Sequence, residues 1–86
     1  DTSLEELSAA TTKLTETEQQ VKTARENMAL AEENLDLVTF SYNEGKASMV
    51  DVLSAQLSWT QAQTNLINAH LAAKMAVAEY RKAISE

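Results

Sequence analysis

The feature that most constrains this chain is that its 86 residues contain a single glycine, Gly45, and no proline. Both residue types interrupt helices, glycine through its conformational freedom and proline through its missing hydrogen-bond donor. Gly45 lies close to the midpoint of the chain, so a long stretch without helix breakers stands on each side of it. This pattern predicts an all-α fold, an antiparallel two-helix coiled-coil hairpin that turns at about 43–48.

We predict a single domain over 1–86, with a helix over 4–44, a turn over 45–47 and a second helix over 49–85. A chain of this length forms one domain with a lean core, because two packed helices enclose only one row of side chains. The chain begins at Asp1 rather than at Met, and we therefore expect a fragment of a larger chain.

Residues with strong capping preferences stand at the predicted helix ends. Ser3 with Glu6, and Ser48 with Asp51, have the spacing of a capping box, in which each side chain accepts a hydrogen bond from the other residue's backbone N–H. Gly45 suits the left-handed position that closes a helix at its carboxyl end. The caps therefore predict the same hairpin as the absence of helix breakers.

Both predicted helices carry residues that recur every seven positions, which is the pattern of a coiled-coil seam. The seam positions of the first helix are Leu7, Ala10, Leu14, Thr17, Val21, Ala24, Met28, Ala31, Leu35, Val38 and Tyr42. Those of the second helix are Val52, Ala55, Trp59, Ala62, Leu66, Ala69, Ala73, Ala76, Tyr80 and Ala83. Large residues on one helix face small ones on the other when paired residue numbers sum to about 90, although a shift of one heptad keeps much of this pairing.

The second helix has another apolar stripe, roughly 150° from its seam at 100° per residue. Its members are Val50, Leu53, Leu57, Thr64, Ile67, Leu71 and Ala78. A helix with apolar stripes on nearly opposite faces is expected to pack between two neighbours, with Leu53, Leu57, Ile67 and Leu71 making the lateral contact. Two arrangements satisfy this pattern: a wall of side-by-side helices, or a four-helix bundle of two hairpins.

Charge and composition exclude several classes of function. A net charge of −6 argues against binding to nucleic acid or to an anionic membrane surface, because both need a basic patch. The uncharged stretch 52–73 is too rich in amides and hydroxyls to cross a membrane. There is no cysteine, and the lone histidine, His70, has no acidic or histidine partner one helical turn away. We find no nucleophile paired with a base and no phosphate loop, and we predict a protein that is not an enzyme and needs no cofactor or metal.

The residues around Gly45 resemble a family. Ala31-Glu-Glu-Asn-Leu35 precedes Tyr42-x-x-Gly45-x-x-Ser48-x-x-Asp51-x-Leu53-x-Ala55-Gln56, and regularly spaced alanines follow. This arrangement resembles the outer membrane efflux proteins, the TolC-like outer membrane factors, over about residues 20–84.

The resemblance implies a trimeric protein whose outer-membrane portion continues into a tube of long helices across the periplasm, where the helices turn back at a tip. This chain contains no strand segment, so the resemblance implies a tip-proximal portion of the tube wall rather than a complete channel. In the family the tip docks onto the helical hairpin of a periplasmic adaptor (membrane fusion) protein in a multidrug or type I export system. The adaptor-binding tip would comprise Tyr42, Asn43, Glu44, Gly45, Lys46, Ala47 and Ser48.

Within this tip the resemblance implies a role for backbone and side chains alike. Gly45 is expected to leave nearby backbone groups open to the adaptor, and Asn43, Glu44 and Lys46 to supply polar specificity.

Two other interpretations stay open: the helical hairpin of an adaptor itself, and a generic antiparallel coiled-coil spacer. The two arginines of the chain, Arg25 and Arg81, lie far from the turn, whereas an adaptor tip carries its arginine close to it. If the hairpin is isolated from its neighbours, we expect it to self-associate through the second stripe.

Overall fold

The computed structural model describes residues 2–85, which form two helices and the turn between them. Helix α1 spans Thr2–Asn43 and helix α2 spans Met49–Ser85, and the two pack side by side along their length in opposite directions. The molecule measures 65 × 13 × 13 Å, so it is a single layer two helices wide. The described residues contain no strand, which confirms the predicted all-α hairpin.

The boundaries of α1 differ slightly from the predicted span of 4–44. The helix begins at Thr2, so Ser3 lies inside it rather than immediately before it. It ends at Asn43, one residue before the predicted end, because Glu44 already belongs to the turn. Differences of one or two residues are ordinary at helix ends, where the first and last turns lack part of the hydrogen-bond ladder.

The core of the hairpin is the predicted seam. Every described seam residue except Tyr42 is buried or half-buried, and two seam alanines, Ala76 and Ala55, are the most enclosed residues of α2. Ala76 is 0% exposed and Ala55 is 3% exposed. Each buried alanine leaves room for a larger residue of α1, so the two backbones approach closely and the core stays thin.

Tyr42 is an exception, because it is 43% exposed although the heptad pattern places it in the seam. It occupies the last turn of α1, while α2 begins only at Met49, on the far side of the turn. The seam therefore ends before Tyr42, which has too little of α2 beside it to be covered.

Thr17 is a buried polar residue within the apolar seam, with 4% exposure. Its Oγ1 donates a hydrogen bond to the carbonyl oxygen of Leu14 at 3.0 Å. A buried hydroxyl that donates a hydrogen bond to a carbonyl of its own helix avoids most of the cost of burial, because that bond replaces the one it would make to water. Thr17 thus fills a seam position with a short side chain and needs no partner on α2.

One ion pair across the seam indicates the register of the hairpin, that is, which residues of α1 lie opposite which residues of α2. The Nζ atom of Lys13 lies 3.5 Å from Oε2 of Glu79, and both side chains are half-exposed. Their residue numbers, 13 and 79, sum to 92, close to the predicted value and far from a pairing shifted by a whole heptad. The pair contributes on the order of 0–1 kcal/mol, because exposed ion pairs are well screened by water.

Candidate functional site

The turn at the end of the hairpin is closed by hydrogen bonds within its own backbone. Gly45 has a φ of 77°, the left-handed conformation in which a side chain is strained. Its N–H donates to the carbonyl of Tyr42 at 3.0 Å, and the N–H of Lys46 donates to the carbonyl of Ser41 at 2.8 Å. This pair of bonds is the Schellman motif, which ends a helix by satisfying its last carbonyl groups.

The start of α2 is closed by a capping box. The backbone N–H of Asp51 donates to Oγ of Ser48 at 3.2 Å, and the backbone N–H of Ser48 donates to Oδ2 of Asp51 at 3.0 Å. Two donors that the helix leaves unpaired at its amino end are thereby satisfied. The carboxylate of Asp51 also lies in the first turn, where the helix dipole favours negative charge.

These bonds correct one expectation about the turn. The N–H groups of Gly45, Lys46 and Ser48 are already bonded within the hairpin, and that of Glu44 donates to the carbonyl of Phe40 at 3.0 Å. The turn therefore does not hold these donors open for a partner, because its two caps consume them. The carbonyl groups of residues 43–47 accept none of these bonds, so the turn presents carbonyl groups and side chains rather than these N–H donors.

The predicted tip residues lie together at this end of the molecule. Six of the seven are exposed, and Ala47 is half-buried; the exposed residues are Tyr42, Asn43, Glu44, Gly45, Lys46 and Ser48. A Cβ placed on Gly45 would have no atom within 4 Å apart from those of its two chain neighbours. The surface over the glycine is thus unobstructed, and a side chain added there would extend outward from the tip.

The second stripe of α2 is exposed along its whole length in the hairpin. Exposure ranges from 53% at Leu53 to 69% at Val50, and Leu57, Ile67 and Leu71 lie between these values. Near the turn α1 adds three exposed residues, Leu30, Leu37 and Phe40, each at 63–64%. The hairpin therefore leaves one long apolar face uncovered on α2 and a shorter one on α1. Such a face is characteristic of a surface that normally contacts another protein.

The two grooves that flank the seam differ in charge. The groove on the Lys13–Glu79 side is lined by uncharged polar residues from Gln20 to Ser41 of α1 and along the facing part of α2, and it ends beside the turn at Lys46 and Asp51. We call the part before these two charges the neutral groove. Its hydrogen-bonding residues are Gln20, Thr23, Asn27, Asn34, Ser41, Ser54, Ser58, Asn65 and Asn68. Apart from half-buried Ser41, all of them are exposed.

Sequence reasoning missed the neutral groove. The heptad pattern contained the signal, because residues adjoining the seam on the same side in both helices can be aligned once the register is known. The uncharged stretch 52–73 indicated contact on several sides but did not show which residues of α1 share its groove.

Other kinds of site receive no support among the residues described. No group of three or more His, Cys, Asp or Glu side chains within 2–85 is placed to hold a metal ion. Neither helix, over the part of the chain described, is long and apolar enough to cross a membrane. His70, expected beside the seam, is half-buried there.

The hairpin, with its exposed turn and its uncovered apolar face, belongs to the class of long antiparallel coiled coils. Comparison with protein families narrows this class, because a model of the family described as outer membrane efflux protein matches residues 2–86. The chain belongs to the outer membrane efflux protein family, a family of transport proteins. Searches of curated proteins and of solved structures find no match.

Proposed function

We propose that this hairpin is a segment of the periplasmic tube wall of an outer-membrane efflux channel, and that its turn is the tip that docks onto a periplasmic adaptor protein. The observation that carries the proposal is that α2 has two apolar faces and α1 covers only one of them. A helix in a closed wall has a neighbour on each side, so the exposed stripe is the surface that the next helix would cover. The full-length protein would be a homotrimer in a multidrug or type I export system.

The two competing interpretations, an adaptor hairpin and a generic spacer, explain fewer of the observations. Membership in the efflux protein family favours the channel wall over the hairpin of an adaptor. A generic spacer needs one seam, whereas α2 carries a second stripe that is more than half exposed at each of its large residues. A wall segment works by shape and packing, so we propose no catalytic role and no cofactor.

Docking at the tip is tested by photo-crosslinking in cells that contain the full-length protein and its adaptor. We expect a photoreactive amino acid at Asn43 or Lys46 to crosslink to the adaptor, because both side chains are exposed at the turn. The matched control is Thr12, which is also exposed on α1 but lies about 45 Å from Asn43 along the helix. Crosslinks that form equally well from Thr12, or fail from both tip positions, would contradict docking at the tip.

The lateral surface is tested on the 86-residue chain itself, which exposes the stripe to water. We expect this chain to self-associate, because pairing two stripes removes apolar surface from solvent. The double variant Leu57→Lys/Leu71→Lys should be monomeric at concentrations where the parent associates, as measured by sedimentation velocity.

The control for this experiment is Gln56→Lys/Gln63→Lys, which adds the same charge at exposed positions outside the stripe. It should associate like the parent chain. A parent chain that stays monomeric at high concentration, or a control that dissociates as fully as the stripe variant, would show that the stripe does not mediate lateral contact.

A further inference from the structure

The exposed stripe of α2 has the spacing of a second coiled-coil seam. From Val50 to Ala78 its positions follow one another by three and four residues in alternation, which is the spacing of the a and d positions of a heptad. Two further positions of this spacing hold polar residues, Thr60 and Lys74, which are exposed like the apolar ones. The stripe is therefore suited to pack along the whole length of another helix.

The stripe is complementary to itself when a second copy of α2 runs in the opposite direction. In the register that sets Leu53 opposite Leu71 of the second copy, Leu57 lies opposite Ile67, and the two-fold symmetry of the pair repeats both contacts. Each of these four large side chains thus meets another large apolar side chain. A shift of one heptad in either direction sets Leu53 and Leu57 against alanine, lysine or threonine, so one register fits best.

The polar positions of the stripe also fit this register. Thr60 lies opposite Thr64 at the centre of the pair, and its Oγ1 donates to the carbonyl of Gln56 at 3.0 Å, so covering it leaves no donor unpaired. Lys74 lies opposite Val50 near the ends, where its ammonium group can extend into water. In a parallel pair each residue would face its own copy, and the two Lys74 ammonium groups would repel each other.

The distribution of charge favours pairing through α2 rather than through α1. Residues 52–73 of α2 carry no formal charge at pH 7 with His70 neutral, so the middle of the pair contains no repulsion. Most acidic residues of the chain belong to α1. In a pair joined through α2 the two α1 helices lie on the outside, where the distance between them is largest and water screens their charge.

Identical hairpins in a row, with their turns at the same end, would cover the stripe less well. The stripe would then meet the outer face of α1 of the next copy, whose exposed large apolar residues, Leu4 apart, lie within 30–42. Ile67 and Leu71 are farther from the turn, at the height of residues 19–26 in the register of the hairpin. Every exposed residue of 19–26 is polar or charged.

We propose that the stripe of this 86-residue chain binds a second copy of α2 in antiparallel orientation, giving a dimer with its two turns at opposite ends. The proposal rests on the lateral contact proposed above and names its occupant. A neighbour of opposite direction is also what a wall of hairpins requires, since adjacent helices alternate in direction there. Because a two-fold pair uses the same surface on both copies, no second stripe is left to extend the assembly, and we expect dimers rather than larger oligomers.

Two substitutions of one residue test the orientation. In the antiparallel pair Val50→Glu places a carboxylate opposite Lys74 of each other copy, whereas Val50→Lys places two ammonium groups there. At low salt the dimer Kd from sedimentation equilibrium should be about tenfold higher for Val50→Lys than for Val50→Glu, because each dimer contains two such pairs. In a parallel pair residue 50 would face itself, so both variants would weaken the dimer alike.

The matched control removes the charge opposite residue 50. In a Lys74→Ala background the difference between Val50→Glu and Val50→Lys should disappear, because it arises from the pairing of the two positions. A difference that persists in this background would come from the start of α2 itself and would overturn the assigned pairing.

Disulfide formation gives a second measurement that adds no charge. The chain has no cysteine, so Thr60→Cys and Thr64→Cys introduce single thiols at the centre of the pair. Oxidation of a tagged Thr60→Cys chain mixed with an untagged Thr64→Cys chain should give the mixed disulfide well above its share in random pairing, as seen by mass. Each variant alone should oxidise slowly, because its two thiols lie at different heights along the pair.

The outcomes separate this inference from the lateral contact on which it rests. Equal Kd values for Val50→Glu and Val50→Lys, mixed disulfides no more abundant than random pairing gives, or assemblies larger than dimers would overturn the antiparallel dimer while leaving the stripe as a lateral surface. A parent chain that stays monomeric at high concentration would overturn both.

Discussion

Replacing Gly45 with tryptophan in the full-length efflux protein is expected to abolish export while leaving trimers in the outer membrane. The glycine lies at the tip with a φ of 77°, and apart from its two chain neighbours no residue has an atom within 4 Å of the position that a Cβ would take. A side chain attached at this open position would add bulk to the surface where we propose that the adaptor docks, and tryptophan adds the most. Export is measured as drug resistance of cells, and assembly as the amount of trimer in the outer membrane.

The control must separate bulk from backbone strain, because any side chain is strained in the left-handed conformation. That strain amounts to about 1–2 kcal/mol for a residue with a Cβ, and it is smaller for asparagine, which visits this region more readily. Gly45→Asn and Gly45→Ala introduce the strain with little bulk and should keep most of the export. If all three variants lose export equally, the turn conformation and not the adaptor contact is responsible. Full export by Gly45→Trp would rule out docking over the glycine.

The second large effect is expected in the seam. Ala76→Leu adds three carbon atoms at a position with 0% exposure, where the neighbouring helix leaves no room. Overpacking of this kind costs about 1–3 kcal/mol, and each kcal/mol lowers the melting temperature of a small domain by roughly 4–8 °C. We expect Ala76→Leu in the 86-residue chain to lower the melting temperature, followed by circular dichroism of the helices.

Ala29→Leu is the matched control for the seam variant, because it makes the same substitution at an exposed position of α1. Alanine and leucine have similar helix propensities, so the control should change stability little. If Ala76→Leu melts at the same temperature as Ala29→Leu or higher, the close approach of the two helices at this alanine does not limit the residue that fits there.

Most of the fold could be predicted from the sequence because its signals agree with one another. The seven-residue spacing of the seam alanines, the lone glycine and the Ser48–Asp51 cap each indicate the same hairpin, and the structure has all three features. Tyr42 could not be assigned correctly by periodicity, since burial at the end of a seam depends on where the partner helix begins. The heptad pattern contains no information about that distance.

The candidate site was less predictable than the fold. Exposure of the second stripe followed from periodicity, because residues opposite the seam in a two-helix molecule face solvent. Whether the N–H groups of the turn are free or bonded could not be predicted from periodicity. The sequence alone left open whether Gly45 frees backbone groups or closes them into a cap. The neutral groove could be identified only once the pairing of residues between the two helices was known, and the Lys13–Glu79 ion pair gives that pairing.

The self-contained turn has a thermodynamic consequence for any partner that meets it. Its backbone is held by the glycine-centred motif at the end of α1 and by the Ser48–Asp51 cap at the start of α2, so it is preorganised before association. Ordering a flexible loop on binding would cost roughly 1–2 kcal/mol per residue of backbone entropy, and a preformed turn avoids most of that loss. A partner could then bind the turn with a smaller contact area than a flexible loop would require. The bonds that hold the turn use neither the Asn43 nor the Lys46 side chain, so substitutions at these two residues should leave the shape of the loop unchanged.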